Sequence, residues 1–377
     1  MKPLLGMAAM LIGGTVMAAD PFVPLYELKD SITVTQGLAE PWASPAFALT
    51  PGRYYRMDLT TRSRAGAQVA SRYIGADGKP LVVDDYNLVR PSADWTPSCW
   101  YFQLPPGAVA GEVSVAAKPK EGEDDVGFEI QRIRVSEVGE NEVCKWLEVQ
   151  LGSLPPLTFI PAADRWDALP RTHARLQSGE PLRVVLLGDS IINDTFNGLL
   201  ELMFKRQWPE ARLTLIPSLR GGTGVAYYQQ ENRVKDYVLD HQPDLVIIGG
   251  VCHEFDLPAM RSVVQQIRAA SDTEILILSG AMAPEDFMRK RTAPKMGISS
   301  LEAAALVRAF YAGLPSVARE SGAGYFDMRS VWDRYILESG LSSLCYMRDE
   351  LHGDMTGKLL LSGILTRYLG SGDAAGN

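Results

Sequence analysis

The chain has 377 residues, a length at which two domains are expected, each large enough for its own apolar core. Apolar residues make up 46% of it and charged residues 22%, ordinary fractions for a globular protein, which argues against extended disorder. The formal net charge of -8, without clustered Lys and Arg, disfavours a nucleic-acid partner.

The amino terminus has the three-part layout of a secretory signal peptide. Lys2 precedes an apolar stretch over residues 4–17, which the small residues Ala18 and Ala19 follow. We therefore expect residues 1–19 to be cleaved off and the mature protein to be periplasmic or secreted. The apolar stretch is short for a span of ~20 residues, and no later segment qualifies, so we expect no stable membrane span after signal removal.

Export permits disulfides, and four cysteines allow three pairings: Cys99, Cys144, Cys252 and Cys345. Cys252 follows a predicted central strand and Cys345 lies just before Asp349, so these two could form a bridge. Four buried free thiols that pack as small apolar groups are the alternative.

Residues 20–150 predict an antiparallel β-sandwich, of jelly-roll type, without a helical period. Runs rich in β-branched and aromatic residues predict strands over 54–63, 68–75, 80–86, 99–104, 112–118 and 128–138. Asp77-Gly78 predicts a hairpin turn between two of them.

Aromatic residues of this part offer two interpretations: Trp42, Tyr73, Tyr86, Trp95 and Trp100. They could stack on sugar rings, because flat apolar ring faces match pyranose faces. They could equally form the core of the sandwich. The module would then bind polysaccharide or cover an edge of the second domain.

Residues 151–377 predict an α/β domain. After a proline-containing connector and a helix over 164–176, predicted strands alternate with predicted helices. The strands cover 182–187, 212–216, 244–248 and 274–278, and the helices cover 195–206, 258–270, 301–321 and 355–369. This alternation is typical of a parallel sheet with helices on both faces.

The first of these strands is followed at once by Gly188-Asp189-Ser190. Its uncharged run over 184–187 is typical of a strand buried on both faces, and the residues after it predict a turn. Such a turn presents its serine at the carboxyl end of a sheet, where open α/β folds bind ligands. Ser190 is therefore a candidate nucleophile, and a helix N-cap is its alternative role.

A serine nucleophile needs a base, and the base needs an orienting acid. Asp349-Glu350-Leu351-His352 supplies one of each. His352 could take the hydroxyl proton and return it to a leaving alcohol, while Asp349 holds the other ring nitrogen. A structural hydrogen bond at a helix start is the alternative for this pair.

The two blocks, in this order and at these places, resemble those of SGNH (GDSL-type) hydrolases. That family carries a GDS block after the first strand and a DxxH block before the last helix. The resemblance covers residues 182–370 and implies a flavodoxin-like three-layer fold, catalytic roles for Ser190, His352 and Asp349, and no cofactor. It also implies an oxyanion hole that uses three donors: the serine N–H, a glycine N–H after the second strand and an Asn after the third.

The second donor position falls within residues 220–224, where the family's small-x-x-Gly pattern selects Gly224 over Gly221. At the third position the chain departs from the family, because it has no Asn there. Cys252 and His253 stand in its place, and His253 is the better N–H donor, with a structural role as its alternative.

Two further groups of residues surround these positions. Arg220 begins the glycine-rich loop and Tyr227 follows it, and both are expected to bind substrate, with solvent-facing packing as the alternative. His253, Glu254 and Asp256 have no second histidine at ligand spacing, so no metal site is expected.

The resemblance extends to exported carbohydrate esterases, and with the sandwich it implies a serine esterase that removes O-acetyl groups from an acetylated polysaccharide. Two alternatives stay open. The same triad could transfer an acetyl group to a glycan of the cell envelope, because an acyl-enzyme reacts with water or with an acceptor hydroxyl. The missing Asn instead favours a glycan-binding protein whose hydrolase domain is inert.

Overall fold

The computed structural model of the chain describes residues 23–34, 41–63, 66–118, 128–250, 255–281 and 285–371. The expected signal peptide, residues 1–19, lies outside these ranges, as do Cys252 and His253. Within these ranges, no helix combines the length and the apolar character that crossing a bilayer requires.

The amino-terminal part forms two antiparallel sheets, as predicted. Its strands are β1 (Pro24–Glu27), β2 (Ile32–Val34), β3 (Trp42–Ala43), β4 (Phe47–Ala48), β5 (Tyr54–Ser63), β6 (Gly66–Gly75), β7 (Pro80–Val89), β8 (Ser92–Gln103), β9 (Ala108–Lys118) and β10 (Phe128–Val138). One sheet has the order β1-β10-β5-β8, with β2 also paired to β10. The other has the order β3-β9-β6-β7, with β4 also paired to β9. Alternate apolar side chains of both sheets are buried in the core between them.

The predicted hairpin at Asp77-Gly78 joins β6 to β7, which pair antiparallel. Gly78 has a φ of +76°, which glycine adopts without strain because it lacks a Cβ. β7 lies at the end of its sheet, and it contacts elements of the second part of the chain.

A helix that the strand-rich pattern did not predict, α1 (Glu140–Gly152), follows the sandwich. Val143 and Leu147, one turn apart on it, are buried in a cluster with Leu199 and Leu202 of the second part. The boundary predicted at residue 150 therefore falls inside a helix that packs against both parts.

The carboxy-terminal part alternates strands with helices. Its strands are β11 (Pro181–Gly188), β12 (Arg212–Leu219), β13 (Leu245–Gly249), β14 (Glu274–Leu278) and β15 (Gly324–Phe326). They form a parallel sheet in the order β12-β11-β13-β14-β15, which confirms the predicted parallel sheet. The carboxyl ends of its strands therefore meet at one edge.

Most helices of this part belong to one of two groups. The helices are α2 (Pro170–Ser178), α3 (Ser190–Asn197), α4 (Leu200–Gln207), α5 (Val225–Tyr228), α6 (Arg233–Tyr237), α7 (Leu257–Ala270), α8 (Glu285–Met296), α9 (Ser300–Ser321), α10 (Met328–Ser339) and α11 (Met355–Tyr368). Contacts link α3, α4, α10 and α11 in one group and α5 to α9 in another, whereas α2 contacts β11.

The structure differs from the predicted helices in two places. The helix predicted over 195–206 is divided into α3 and α4, because Leu199 has a φ of +60° and interrupts the helical backbone. The helix predicted over 164–176 begins later, at Pro170, whose fixed φ and missing N–H suit a first turn.

A buried lysine fastens the sandwich to the second part. Lys358 on α11 and Asp85 on β7 are both fully buried, with 2.5 Å between Nζ and Oδ1. The Lys358 ammonium also donates to the carbonyl of Tyr86 and to Oδ1 of Asn87, at 3.0 Å in the second case. All three ammonium donors thus have acceptors, the condition under which a buried charge is tolerated.

We expect Lys358→Met to destabilise the protein by ~3–5 kcal/mol, because it leaves the Asp85 carboxylate buried without a cation. Urea unfolding followed by tryptophan fluorescence measures the change. Lys205→Met is a matched control: its ammonium also lies 2.5 Å from a carboxylate, that of Glu140, but both side chains are largely exposed. The control should lose at most ~1 kcal/mol. Similar losses for the two variants would contradict the prediction.

Candidate active site

Ser190 is the first residue of α3 and stands at the carboxyl edge of the parallel sheet. Gly188 ends strand β11 directly beside Gly249 of β13. The two backbones are so close that a Cβ added to Gly188 would lie 2.2 Å from the carbonyl oxygen of Gly249. The carboxylate of Asp189 accepts a hydrogen bond from the N–H of Ile191 at 2.9 Å and caps the helix. The capping role thus belongs to Asp189, and the Ser190 hydroxyl is left for other contacts.

His352 and Asp349 lie in the loop that leads into α11. Backbone hydrogen bonds close this loop, from Arg348 N–H to the carbonyl of His352 at 2.9 Å and from Asp354 N–H to that of Tyr346 at 3.0 Å. The side chain of Asp354 then caps α11. The loop therefore has a defined shape, which orients the imidazole.

The three predicted side chains are in contact. His352 Nε2 lies 2.9 Å from Ser190 Oγ, across 162 residues of sequence. His352 Nδ1 lies 3.0 Å from each carboxylate oxygen of Asp349. In this arrangement the imidazole can take the hydroxyl proton on one nitrogen while the carboxylate holds the other.

The pKa of Asp349 lies well below its ordinary value. Burial raises this pKa, but the hydrogen bond and the charge of His352 outweigh burial, and the backbone N–H groups of Leu351 and His352 add to the lowering. Both N–H groups donate to Oδ1 at 2.8 Å. The carboxylate is therefore ionised at neutral pH, the state that can stabilise an imidazolium.

This lowered pKa predicts how Asp349 contributes to stability. A carboxyl whose pKa is lower in the folded than in the unfolded protein stabilises the fold above its unfolded pKa of ~3.9, and that stability is lost as the pH falls through the folded value. We expect Asp349→Asn to melt below the wild type at about pH 5, with a difference that shrinks below about pH 4. Thermal unfolding over a pH series measures it, and a difference already absent at about pH 5 would contradict the assignment.

A buried ion pair joins the His352 loop to α3. Arg348 Nη1 lies 2.9 and 3.0 Å from the carboxylate oxygens of Asp194, and their side chains are 5% and 0% exposed. The N–H of Gly353 donates to the same carboxylate at 2.9 Å. Because Asp194 lies one turn after Ser190, the pair fixes the spacing between Ser190 and His352. The sequence analysis missed it, and its signal is an acidic residue one turn after the serine.

Ser190 and His352 open into a cleft of about 390 Å³ between the sandwich and the second part. Its lining comes from both: Gln68, Val82, Asp84 and Tyr86 of β6 and β7, and Ser190, Asn193, Leu219, Gly221, Arg348, Asp349 and His352 of the second part. The sandwich therefore supplies one wall of the cleft, and most of the lining side chains are polar.

The expected oxyanion donors differ in their position relative to the cleft. The N–H of Ser190 is in the first turn of α3, where a helix offers it no carbonyl partner. Gly224 is buried at the start of α5 and lines a separate small cavity of about 20 Å³ together with Asp189. Gly221, by contrast, borders the cleft. His253, the third expected donor, lies outside the described residues.

Arg220 and Tyr227, the expected substrate-binding residues, contact each other. The Arg220 guanidinium lies 4.9 Å from the ring centroid of Tyr227, and that of Arg233 lies 4.8 Å from the same centroid. The Tyr227 hydroxyl lies 3.3 Å from that of Tyr237. Leu219 and Gly221 line the cleft, whereas Arg220 between them and Tyr227 do not.

The five aromatic residues of the sandwich divide between the two interpretations. Tyr73 and Trp100 are buried, and Trp42 is half-buried against the core. Tyr86 lines the cleft and Trp95 is 37% exposed. Tyr86 is therefore the one of the five that is placed to meet a substrate at Ser190.

The thiols are partly described. Among the described residues Cys99, Cys144 and Cys345 form no disulfide with one another, and Cys99 and Cys345 are exposed, which the alternative of four buried thiols did not predict. The pairing of Cys345 with Cys252 involves a residue outside the described ranges.

Comparison with known sequences finds no protein-family model and no curated protein that matches the chain. Comparison with solved structures finds a two-domain esterase active on acetylated mannans, co-crystallised with mannopentaose, at 19% identity and a TM-score of 0.40. That match covers 54% of this chain and 53% of the esterase, so the chain spans about half the length of this relative.

Two further solved structures are similar to this chain, one over most of its length and the other over half of it. An acetyl xylan esterase from Butyrivibrio proteoclasticus matches at 11% identity and a TM-score of 0.31, over 90% of this chain and 94% of the esterase. A putative lipolytic protein of the G-D-S-L family from Desulfitobacterium hafniense matches at 12% identity and a TM-score of 0.36, over 50% and 99% of the two chains. At these identities and TM-scores, the chemistry assigned below rests on the geometry of the site.

Proposed function

We propose that the protein is an exported serine esterase that removes O-acetyl, or other small acyl, groups from a polysaccharide. The observation that carries the proposal is the unbroken contact from Ser190 through His352 to Asp349 at an open cleft. A hydroxyl, an imidazole and an ionised carboxyl in this order are the components of nucleophilic acyl transfer.

The reaction proceeds in two steps. Ser190 Oγ attacks the acyl carbonyl as His352 takes its proton. The bond between the acyl carbon and the sugar oxygen then breaks, and His352 gives that proton to the leaving oxygen, which becomes the sugar hydroxyl. Water then attacks the acyl-serine as His352 takes its proton, the bond between the acyl carbon and Ser190 Oγ breaks, and His352 returns the proton to Oγ, which releases the acid and the free serine. Asp349 orients the imidazole and stabilises its charged form throughout.

The oxyanion of each tetrahedral intermediate needs donors that are already in place. The N–H of Ser190 is one of them. Gly224 is the donor expected from the family pattern, and the cleft lining favours Gly221 as the alternative within the same loop. His253 is the expected third donor.

The cleft supports a sugar ester as the substrate, because its lining is mostly polar and it lies open between the two parts. A long acyl chain would instead need an extended apolar groove. The strand order and the two helix groups support a flavodoxin-like three-layer arrangement for residues 151–377. The two antiparallel sheets support a jelly roll for residues 20–150. The signal-like amino terminus supports export.

The test is acetate release from a panel of acetylated xylan, mannan, pectin and peptidoglycan. We expect release from at least one neutral glycan by the wild type, and none above background by Ser190→Ala. Equal release by both proteins would remove Ser190 from its role. Adding an acceptor sugar distinguishes transfer from hydrolysis: transfer yields an acetylated acceptor in place of acetate.

A further inference from the structure

Two polar side chains of the sandwich, Asp84 and Tyr86, face the cleft and have no part in the acyl-transfer steps. Both lie on β7, and residues two apart on a strand point to the same side. They therefore stand side by side on the wall opposite the parallel sheet, where the alcohol part of an ester bound at Ser190 would lie.

The position of this wall is fixed by the helices that carry the catalytic residues. Asn193 and Asn197 on α3 both donate through Nδ2 to the backbone carbonyl of Asp84, at 2.7 and 2.9 Å. The next residue, Asp85, is the buried partner of Lys358 on α11. Asp84 is thus held by the helix that begins at Ser190 and by the helix that follows His352.

The wall presents hydrogen-bond acceptors to the cleft. The Tyr86 hydroxyl donates to Oδ2 of Asp84 at 2.8 Å, so its proton is engaged and its oxygen can accept. Oδ1 of Asp84 remains able to accept a hydrogen bond. Burial raises the pKa of Asp84, and the hydrogen bond from Tyr86 and the charge of Arg72 act in the opposite direction. In its ionised form the carboxyl can only accept hydrogen bonds.

The cations near Asp84 are each engaged with another carboxylate. Arg348 is the one cation among the described residues that line the cleft, and its guanidinium is held by the Asp194 carboxylate. Arg72 lies opposite Asp84 in the β6–β7 pair and also contacts Glu112, at 3.4 Å. One guanidinium, that of Arg72, thus faces the two carboxylates of Asp84 and Glu112, so an anionic substrate group would meet a net negative charge at this wall.

We propose that Asp84, supported by Tyr86, is the residue that selects the sugar: it accepts a hydrogen bond from a ring hydroxyl of a neutral acylated sugar and repels the carboxylate of a uronic acid. This inference rests on the proposed ester substrate of the same cleft. It assigns the edge strand of the sandwich to substrate selection within the active site.

Binding to the Ser190→Ala protein tests the proposal without turnover. The ligands are the methyl glycosides of mono-O-acetyl glucose and mono-O-acetyl glucuronic acid, which differ only in the carboxylate, titrated by NMR at about pH 7.5. A hydrogen bond to a charged group together with repulsion of the anion predicts about 10- to 100-fold tighter binding of the neutral ligand. Adding Asp84→Asn should reduce this preference to within about threefold. Asp94→Asn, an exposed carboxylate of the same sandwich, should retain it.

The asparagine can still accept the Tyr86 hydrogen bond, so we expect Asp84→Asn to fold. A second measurement uses the Ser190→Ala protein without any change at Asp84. Because salt screens exposed charges, high ionic strength should diminish its preference for the neutral ligand. Equal affinities for the two ligands, or a preference that survives both Asp84→Asn and high salt, would overturn the proposal. Loss of the proposed esterase function has a separate signature, namely the absence of acetate release by the wild type while the binding preference persists.

Discussion

Ser190→Ala is expected to reduce the rate of ester hydrolysis by about 10⁵- to 10⁶-fold. Without the hydroxyl no acyl-enzyme forms, and only binding and oxyanion stabilisation by the remaining groups can accelerate attack by water. Initial rates of acetate release from an acetylated glycan, and of nitrophenol release from an aryl acetate, measure the loss. The two substrates separate chemistry from sugar recognition, because the aryl ester has no sugar.

The fold should be preserved in this variant, because the hydrogen bond of the Ser190 side chain is to His352 in a partly open cleft. The melting temperature therefore serves as a check. Ser178→Ala is the matched control, since Ser178 is exposed at the end of α2, before β11 begins and so at the opposite edge of the sheet. It should keep wild-type rates. A Ser190→Ala rate within tenfold of the wild type would exclude a serine nucleophile.

Asp349→Asn is expected to reduce the rate by about 10⁴-fold, with a small effect on substrate binding. The amide has nearly the same shape as the carboxylate, but it carries no charge to stabilise the imidazolium. Its NH₂ group can also face Nδ1 of His352 and favour the tautomer that places the proton on Nε2, toward Ser190. Single-turnover kinetics with an aryl acetate separate this loss in kcat from any change in KM.

Glu350→Gln provides the control in the same loop, because Glu350 is exposed and undergoes the same change from carboxylate to amide. It should retain full activity. If Glu350→Gln lost as much rate as Asp349→Asn, the loop's overall charge, and not the contact at 3.0 Å to His352, would be the cause. If Asp349→Asn kept its rate, the site would operate as a serine–histidine pair.

Local patterns predicted the long strands β5 to β10 and the strands β11 to β14, together with the helices α2, α7, α9 and α11, but not the short strands β1 to β4 and β15 or the helices α1, α8 and α10. The apolar run before Gly188 and the alternation of strand and helix after it depend on near neighbours, and the parallel sheet followed from them. Patterns were less informative where a tertiary contact overrides the local preference. Leu199 takes a positive φ in the middle of a helical pattern, between α3 and α4, where its buried side chain packs in the cluster with Leu202 and α1.

In the candidate site, too, local patterns predicted some residues, and tertiary contacts determined others. Ser190, Asp349 and His352 were predicted because each belongs to a short block with a recognisable order. The family pattern pointed to Gly224 for the second oxyanion donor, whereas the described cleft borders Gly221. Spacing within a glycine-rich loop does not determine which N–H faces the ligand, because glycine permits several backbone paths.

By itself, the sequence determined the class of both parts, the parallel sheet and the three residues proposed for catalysis, because periodicity and short blocks are properties of neighbouring residues. Only the tertiary structure decided that β7 forms a wall of the cleft, and that Arg348–Asp194 and Lys358–Asp85 hold the site together. These pairs join residues 154 and 273 positions apart. The sequence around a charged residue does not indicate which residue will pair with it, because burial and pairing arise only when distant parts of the chain pack together.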